Sequence, residues 1–517
     1  MRTTRSTAPV RAGRRRAVEL AVIGAGAALT VVFAYGLARR PMPAAAALAL
    51  LALIAGLALF RREIAAVRLG PLVSGLVLLV PLAALVGSPA ALPAFPQFFA
   101  FRVLLIVIAA LGLPLLVLRR RPLSLEFWRP ALPLALWMAW LSVTIIWAPD
   151  KATGLRYLLV LVTMLAVVAA AASAGLSRRR LRAFGITMIM AYAFIVGFTV
   201  LESVTGFHLP TSRLVTVVTS QTYAVTSVFH NQNDLATYLA ICWPFLLAAV
   251  FFTRSVRWLG LALLFAALGA AAFVRTGSRS SLLAGGIATV VILLLHARPG
   301  AWLQTRRARA LGALLAVVLL AGMGYLLFNN SQSPMLRQFR LAELTQNLAT
   351  KTGSGEARTN LLNRGLGVAG GSLLLGAGPG QVDGLVTKGT DALGIGNLHN
   401  WWLETYANGG LPGITLQLIF LVGLAWGLLR RAQTHSDPFV RYVAGGAFAA
   451  LAGFSVGALG PSSSLGFAPM WTLFGLGLAV LALTAGDVGD DTTGDAALSG
   501  PGAASTIGEP SDPGVGA

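Results

Sequence analysis

The sequence is poor in charge, poorer still in acids, and has one cysteine. Only 11% of its 517 residues are Asp, Glu, Lys or Arg, against about 25% in an ordinary soluble domain, and a soluble multidomain enzyme is excluded. The single cysteine, Cys242, lies in an apolar run; it forms no internal disulfide and excludes a cysteine-built metal site. No His-Glu-x-x-His pair, carboxylate cluster, Walker pattern or Gly-x-Ser-x-Gly elbow is present, so neither a metal centre, a nucleotide-driven engine nor a serine-hydrolase elbow is expected. No cofactor is implied.

What the chain has is apolar length. Mean hydropathy is +0.76, and about fourteen stretches of membrane-crossing length fall near residues 17–38, 42–60, 69–88, 101–118, 131–147, 156–175, 183–203, 234–253, 257–274, 280–296, 310–328, 409–429, 440–459 and 465–484. The expected fold is an all-α polytopic membrane protein of about 12–14 transmembrane helices. Residues 17–484 form the membrane domain. Residues 1–16 and the Gly, Ala, Ser, Asp and Pro rich 485–517 read as disordered cytoplasmic ends.

The net charge of +22 would suggest nucleic acid in a soluble protein, but here no basic soluble face exists to carry it. It reads as a topology signal instead. A cytoplasmic N-terminus puts 26 of the 40 Lys and Arg residues on inner segments, and six of the other 14 in one long outer segment. The asymmetry predicts both termini inside, with Arg39 and Arg40 as the misfit. Arg11, Arg14, Arg15 and Arg16 lead directly into the first span, which reads as an uncleaved anchor.

The long outer segment, 329–408, is the expected functional surface, because a connection of this length in a tightly looped bundle is usually a working part. Ser333-Pro334 reads as a helix start. A second helical stretch runs over 357–375 and stops at the glycine run 376–380, and a third starts at His399 and ends at Asn408-Gly409-Gly410. The glycine run lacks the spacing and the preceding strand of a dinucleotide fingerprint; it reads as a helix stop with a tight turn.

The same topology places Arg275, Arg279, Arg358 and Arg364 on the face that disfavours arginine. One interfacial arginine commonly snorkels to headgroup phosphates. Four on one face point to a cationic site for a phosphorylated ligand, since Arg holds phosphate oxygens bidentately. Arg275 and Arg279, four apart, would share a face if helical. His399 is the candidate for acid/base work, as an imidazole titrates near neutrality and needs no metal; the bland alternative is a capping histidine. His230 precedes Asn231-Gln232-Asn233-Asp234, read as a turn capped by Asn233 or Asp234. His208, in a short outer loop, has no companion cluster in the sequence.

Four stretches in order resemble the O-antigen ligase and polymerase superfamily of membrane glycosyltransferases: Phe229 to Ala236; Arg275-Thr276-Gly277-Ser278-Arg279; Arg358 with Leu361-Leu362 and the run Leu374 to Gly380; and Leu398 to Glu404 followed by Gly409-Gly410-Leu411-Pro412-Gly413. Leu362 stands where that family usually has tryptophan, and Asn231-Gln232 where it has an asparagine-proline pair. The family-like core spans about 190–430. The resemblance implies a glycosyltransferase C-like fold and transfer of a glycan from undecaprenyl pyrophosphate to a hydroxyl of a glycan, lipid or cell-wall acceptor, on the outer face of the cytoplasmic membrane, with inversion and without metal. On that basis Arg279 and Arg358 bind the pyrophosphate, Arg275 and Arg364 help, His399 activates the acceptor or binds phosphate, and Asn400, Glu404 and Asn233 support. A flippase or transporter of lipid-linked glycans is the alternative; it should show midplane charges and two related halves, and no internal repeat is evident.

Overall fold

The computed structural model describes residues 125–216, 224–253, 255–296, 354–372, 374–387, 398–459 and 465–483, with short pieces within 75–108 and 314–346. The chain divides into two units, residues 1–76 with 106–122, and residues 77–105 with 123–517. The expected spans near 17–38 and 42–60, most of those near 101–118 and 310–328, and both expected disordered ends lie outside the described residues. The second unit holds every strand and long helix of the described residues.

A two-strand antiparallel hairpin, β1 (Ala91–Leu92) and β2 (Phe95–Phe99), precedes the long helices. The helices are α1 (Leu125–Thr144), α2 (Lys151–Ala172), α3 (Arg178–Thr205), the short α4 (Arg213–Thr216), α5 (Gln232–Phe252), α6 (Val256–Thr276), α7 (Arg279–His296), the short α8 (Pro334–Arg337), α9 (Ser354–Gly371), α10 (Gln381–Thr387), α11 (Trp401–Thr434), α12 (Pro438–Gly457) and α13 (Ala468–Ala482). Among the described residues six are long and apolar enough to cross a membrane: α2, α3, α5, α6, α11 and α12. The helical polytopic class expected from the sequence is borne out, with the hairpin as an addition.

The helix boundaries follow local chemistry. The Asp150 carboxylate accepts from the Ala152 and Thr153 amides at 2.9 and 3.1 Å and so satisfies orphan donors at the start of α2. Ser177 caps α3, which ends at Gly206 in the left-handed region. Asn231 caps α5 by accepting from the Asn233 amide at 2.9 Å. The cap is therefore neither Asn233 nor Asp234, both of which lie inside the helix: all three residues are competent, and Asn231 is the one with extended backbone.

Every residue of α13 is buried, so this helix forms the middle of the packing. Small residues let it and its neighbours approach closely. A Cβ at Gly475 would stand 2.5 Å from the Ala171 Cβ of α2, and one at Gly453 of α12 would stand 2.6 Å from the Ala284 carbonyl of α7.

The connections fix which ends lie together. α5 and α6 are joined by three residues, as are α11 and α12, so each pair runs antiparallel. Gly453 and Gly457 near the end of α12 meet Ala284 near the start of α7, and the Trp401 amide at the start of α11 donates to the Ala458 carbonyl after α12 at 3.1 Å. The ends of α3, α6 and α12 and the starts of α5, α7 and α11 thus share one end of the bundle. At the opposite end Arg178 donates to Asp437, the cap of α12, and Arg431 pairs with Glu126 at 2.7 Å.

Candidate active site

At the shared end, α11 begins under strain. His399 has φ +49°, a left-handed backbone that costs an L-residue about 1–3 kcal/mol and persists only where its surroundings over-determine it. Here they do. Asn400 caps α11 by accepting from the Leu403 amide at 3.2 Å. The Trp401 amide is held by Ala458, and Trp402 Nε1 donates to the Ser455 carbonyl at 2.8 Å. Trp401 is fully buried against Phe454 and Phe474. The helix thus starts two residues after His399, which is half-buried at its head.

Nine residues on, α11 breaks at Gly410, φ 65° and ψ −164°, where the sequence predicts a helix stop. The glycine run takes up the exposed backbone. The Ala377 amide donates to the Ala407 carbonyl at 2.8 Å, that of Gly378 to Asn408 at 3.1 Å, and that of Leu411 to Leu374 at 2.7 Å. Trp140 Nε1 donates to the Gly409 carbonyl at 2.6 Å and Trp147 Nε1 to the Gly376 carbonyl at 2.8 Å. The run is a docking strap for the broken helix rather than only a helix stop.

Beneath the strap lies a polar cluster. The Tyr157 hydroxyl donates to Glu404 at 3.4 Å and accepts from Asn408 Nδ2 at 3.2 Å. Glu404 is buried and its bond to Tyr157 ties α11 to α2. Burial pushes the carboxyl of the neighbouring Asp383, in α10, up from the ordinary carboxylate range. Gln381 exchanges two hydrogen bonds with the Asp150 backbone, at 2.8 and 2.9 Å, and pins α10 to the start of α2.

The arginines come from two places. Arg358 and Arg364 lie on α9, which packs against α11 over a small core of Leu361, Ala369, Val386, Leu398, Leu403 and Ala407. A Cβ at Gly365 would stand 2.6 Å from Leu403 Cδ2, so the arginine-bearing helix presses directly beside the His399 segment. Arg364 is exposed at the surface and donates to the Val386 carbonyl at 3.2 Å, which ties part of its capacity to α10. Arg275 closes α6 and Arg279 opens α7, with Gly277 left-handed between them. They do not share a helical face as the four-residue spacing predicts, because the glycine turns the chain; Arg279 is exposed and Arg275 partly so.

The sequence reading missed one residue outright. Glu202, at the end of α3, has a fully buried carboxyl that accepts from the Thr226 amide at 3.0 Å, the Ser227 amide at 2.6 Å and His208 Nδ1 at 2.6 Å. His208 therefore does have a companion, six residues upstream, which the short-loop reading could not reveal. The same turn holds His230, whose Nδ1 bonds the Thr211 carbonyl at 2.7 Å. Among the described residues no group of three or more His, Cys, Asp or Glu is placed to hold a metal ion.

The architecture defines a class: a helical multi-pass membrane protein with a polar constellation gathered around one bundle end and a strapped, broken helix. A family model for O-antigen ligase matches residues 261–418, a range that includes Arg275, Arg279, Arg358, Arg364, His399 and the break. The chain is also 27% identical over 404 residues to the teichuronic acid biosynthesis protein TuaE of Bacillus subtilis (strain 168), covering 75% of this chain and 79% of that relative. The resemblance to the O-antigen ligase and polymerase superfamily is borne out, and a ligase-like or polymerase-like glycosyltransferase is supported at family level.

Proposed function

We propose that the protein transfers a glycan from undecaprenyl pyrophosphate to an acceptor hydroxyl at the outer face of the cytoplasmic membrane, in the making of a cell-surface polysaccharide. The observation that carries this reading is the strained His399 at the head of α11, beside the helix that bears Arg358 and Arg364. Strain held by so many independent contacts is kept where a side chain must be aimed.

In this reading Arg279 and Arg358 hold the pyrophosphate, with Arg275 and the exposed part of Arg364 adding positive charge. The acceptor oxygen attacks the anomeric carbon as the bond from that carbon to the phosphate oxygen breaks. The electron pair leaves with the pyrophosphate, where the guanidinium groups stabilise the growing charge. The acceptor proton passes to His399. In-line displacement inverts the anomeric centre, and no step requires a metal. Asn400 caps the helix behind His399, Glu404 and Asn408 lock it to Tyr157, and Asn233 donates its amide to the α5 cap. Both termini lie inside, so that the shared bundle end faces outward. The polysaccharide named in the relative, teichuronic acid, favours an envelope polymer as the product class.

The test is the anomeric configuration of the product made by purified protein from an undecaprenyl-pyrophosphate-linked oligosaccharide in the presence of EDTA. Inverted product at undiminished rate fits the reading. Retained configuration, or a rate restored only by a divalent cation, contradicts it.

A further inference from the structure

His208 and Glu202 stand outside the roles assigned above, and their geometry is that of a carboxyl-oriented imidazole. The Glu202 side chain is fully buried and that of His208 is 26% exposed. Glu202 already takes the amides of Thr226 and Ser227, so it meets His208 Nδ1 as an acceptor and the imidazole donates there. That bond commits the Nδ1 hydrogen to Glu202 and leaves Nε2 as the ring atom available to a second partner. Ser227 is itself left-handed, φ 52°, and is held so by its bond to Glu202.

The dyad lies level with the arginine turn. α3 and α6 run parallel, since α5 is antiparallel to both, and they meet where Tyr192 donates to the Phe265 carbonyl at 3.3 Å. Both Glu202 and Arg275 lie ten residues further along their helices, on the order of 15 Å at 1.5 Å per residue. The imidazole and the Arg275 to Arg279 turn therefore sit at the same height of the same bundle end.

We propose that His208 is a substrate-binding residue, whose Nε2 hydrogen-bonds a sugar hydroxyl of the glycan whose pyrophosphate the arginines hold. This rests on the reading of function given above. Glu202 is the positioning residue that aims the ring. The loop from Gly206 to Ser212 is then a sugar-contacting edge of the site, contributed by a segment outside the matched range 261–418.

His208→Asn separates this role from a merely structural one, because the Asn amide can still donate to Glu202 from the Nδ1 position but has nothing in place of Nε2. The expected result is a three- to tenfold rise in KM for undecaprenyl-pyrophosphate-linked oligosaccharide, the size of one lost neutral hydrogen bond, with kcat and melting temperature near wild type. In the wild-type protein the same lipid-linked oligosaccharide should protect His208 from carbethoxylation by diethyl pyrocarbonate, read by mass spectrometry of its peptide. Wild-type kinetics in His208→Asn without protection of the native residue would overturn the proposal and leave the pair a loop staple. Protection in a protein that carries out no transfer would sink the functional reading while keeping His208 as a sugar contact.

Discussion

Asn408 donates through Nδ2 to the hydroxyl of Tyr157 at 3.2 Å, across 251 residues of chain. That bond joins the turn before the break in α11 to a span outside the segment that carries the family signature. With the Glu404 contact it makes Tyr157 the inner anchor of the helix that His399 heads. Tyr157→Phe removes one hydroxyl and leaves two buried polar side chains without it, at about 1–3 kcal/mol. A lowered melting temperature in nanodiscs, with reduced transfer, is expected; unchanged values of both would refute the anchoring role.

His399 gives a sharper prediction. Glycine adopts φ +49° without the Cβ penalty, so His399→Gly should leave the fold as stable as wild type or stabilise it by about 1 kcal/mol, while transfer is lost. Stability and activity then move apart, the expected pattern where strain serves a site. Parallel loss of both would mean that the imidazole is a structural cap.

Gly410 is the opposite case. Its φ of 65° is left-handed, and a Cβ there would collide with the Leu374 carbonyl oxygen and the Leu375 backbone. Gly410→Ala combines backbone strain with overpacking, on the order of 2–5 kcal/mol. The expected outcome is little folded protein after solubilisation, measured by size-exclusion yield and thermal melting.

How much of this was legible in the sequence depends on the range of the interaction. The apolar runs near 156–175, 234–253, 257–274 and 440–459 locate α2, α5, α6 and α12 to within a few residues, because span length and hydropathy are local properties. The stop at Asn408-Gly409-Gly410 was legible for the same reason. The strap was not: Trp140 meets Gly409, Trp147 meets Gly376, and Gly376 meets Gly409 and Gly410 only through the tertiary fold, and no spacing rule connects them. The cap of α5 is Asn231 and not the expected Asn233 or Asp234, because several competent residues compete within one turn. The condition for Arg275 and Arg279 to share a face, one helix through both, is not met because Gly277 ends one helix before the next begins. Glu202 was overlooked because a lone carboxylate at a span end carries no motif, although an acid in so apolar a helix is itself a signal.

At the other bundle end the Arg178 and Asp437 pair predicts a pH dependence. Burial alone would raise the Asp437 carboxyl, but the Arg178 bond and the Phe439 amide outweigh it and hold the group below the ordinary carboxylate range. A lowered folded-state pKa adds stability that is fully present above the unfolded value, near about 3.9, and is lost as pH falls through the folded one. The melting-temperature gap between wild type and Asp437→Asn should be constant at neutral pH and close below about pH 4. A gap that widened on acidification would contradict the assigned direction.

The central claim is that His399 and the arginines form one transfer site. Its most direct test is transfer by the purified full chain in nanodiscs, given undecaprenyl-pyrophosphate-linked oligosaccharide and candidate acceptors, with His399→Ala and Arg279→Ala alongside wild type. The account predicts release of undecaprenyl pyrophosphate coupled to glycan transfer in wild type, and loss of both in each variant with the fold intact. Lipid-linked glycan moved between leaflets without any transfer would contradict it and make the protein a flippase.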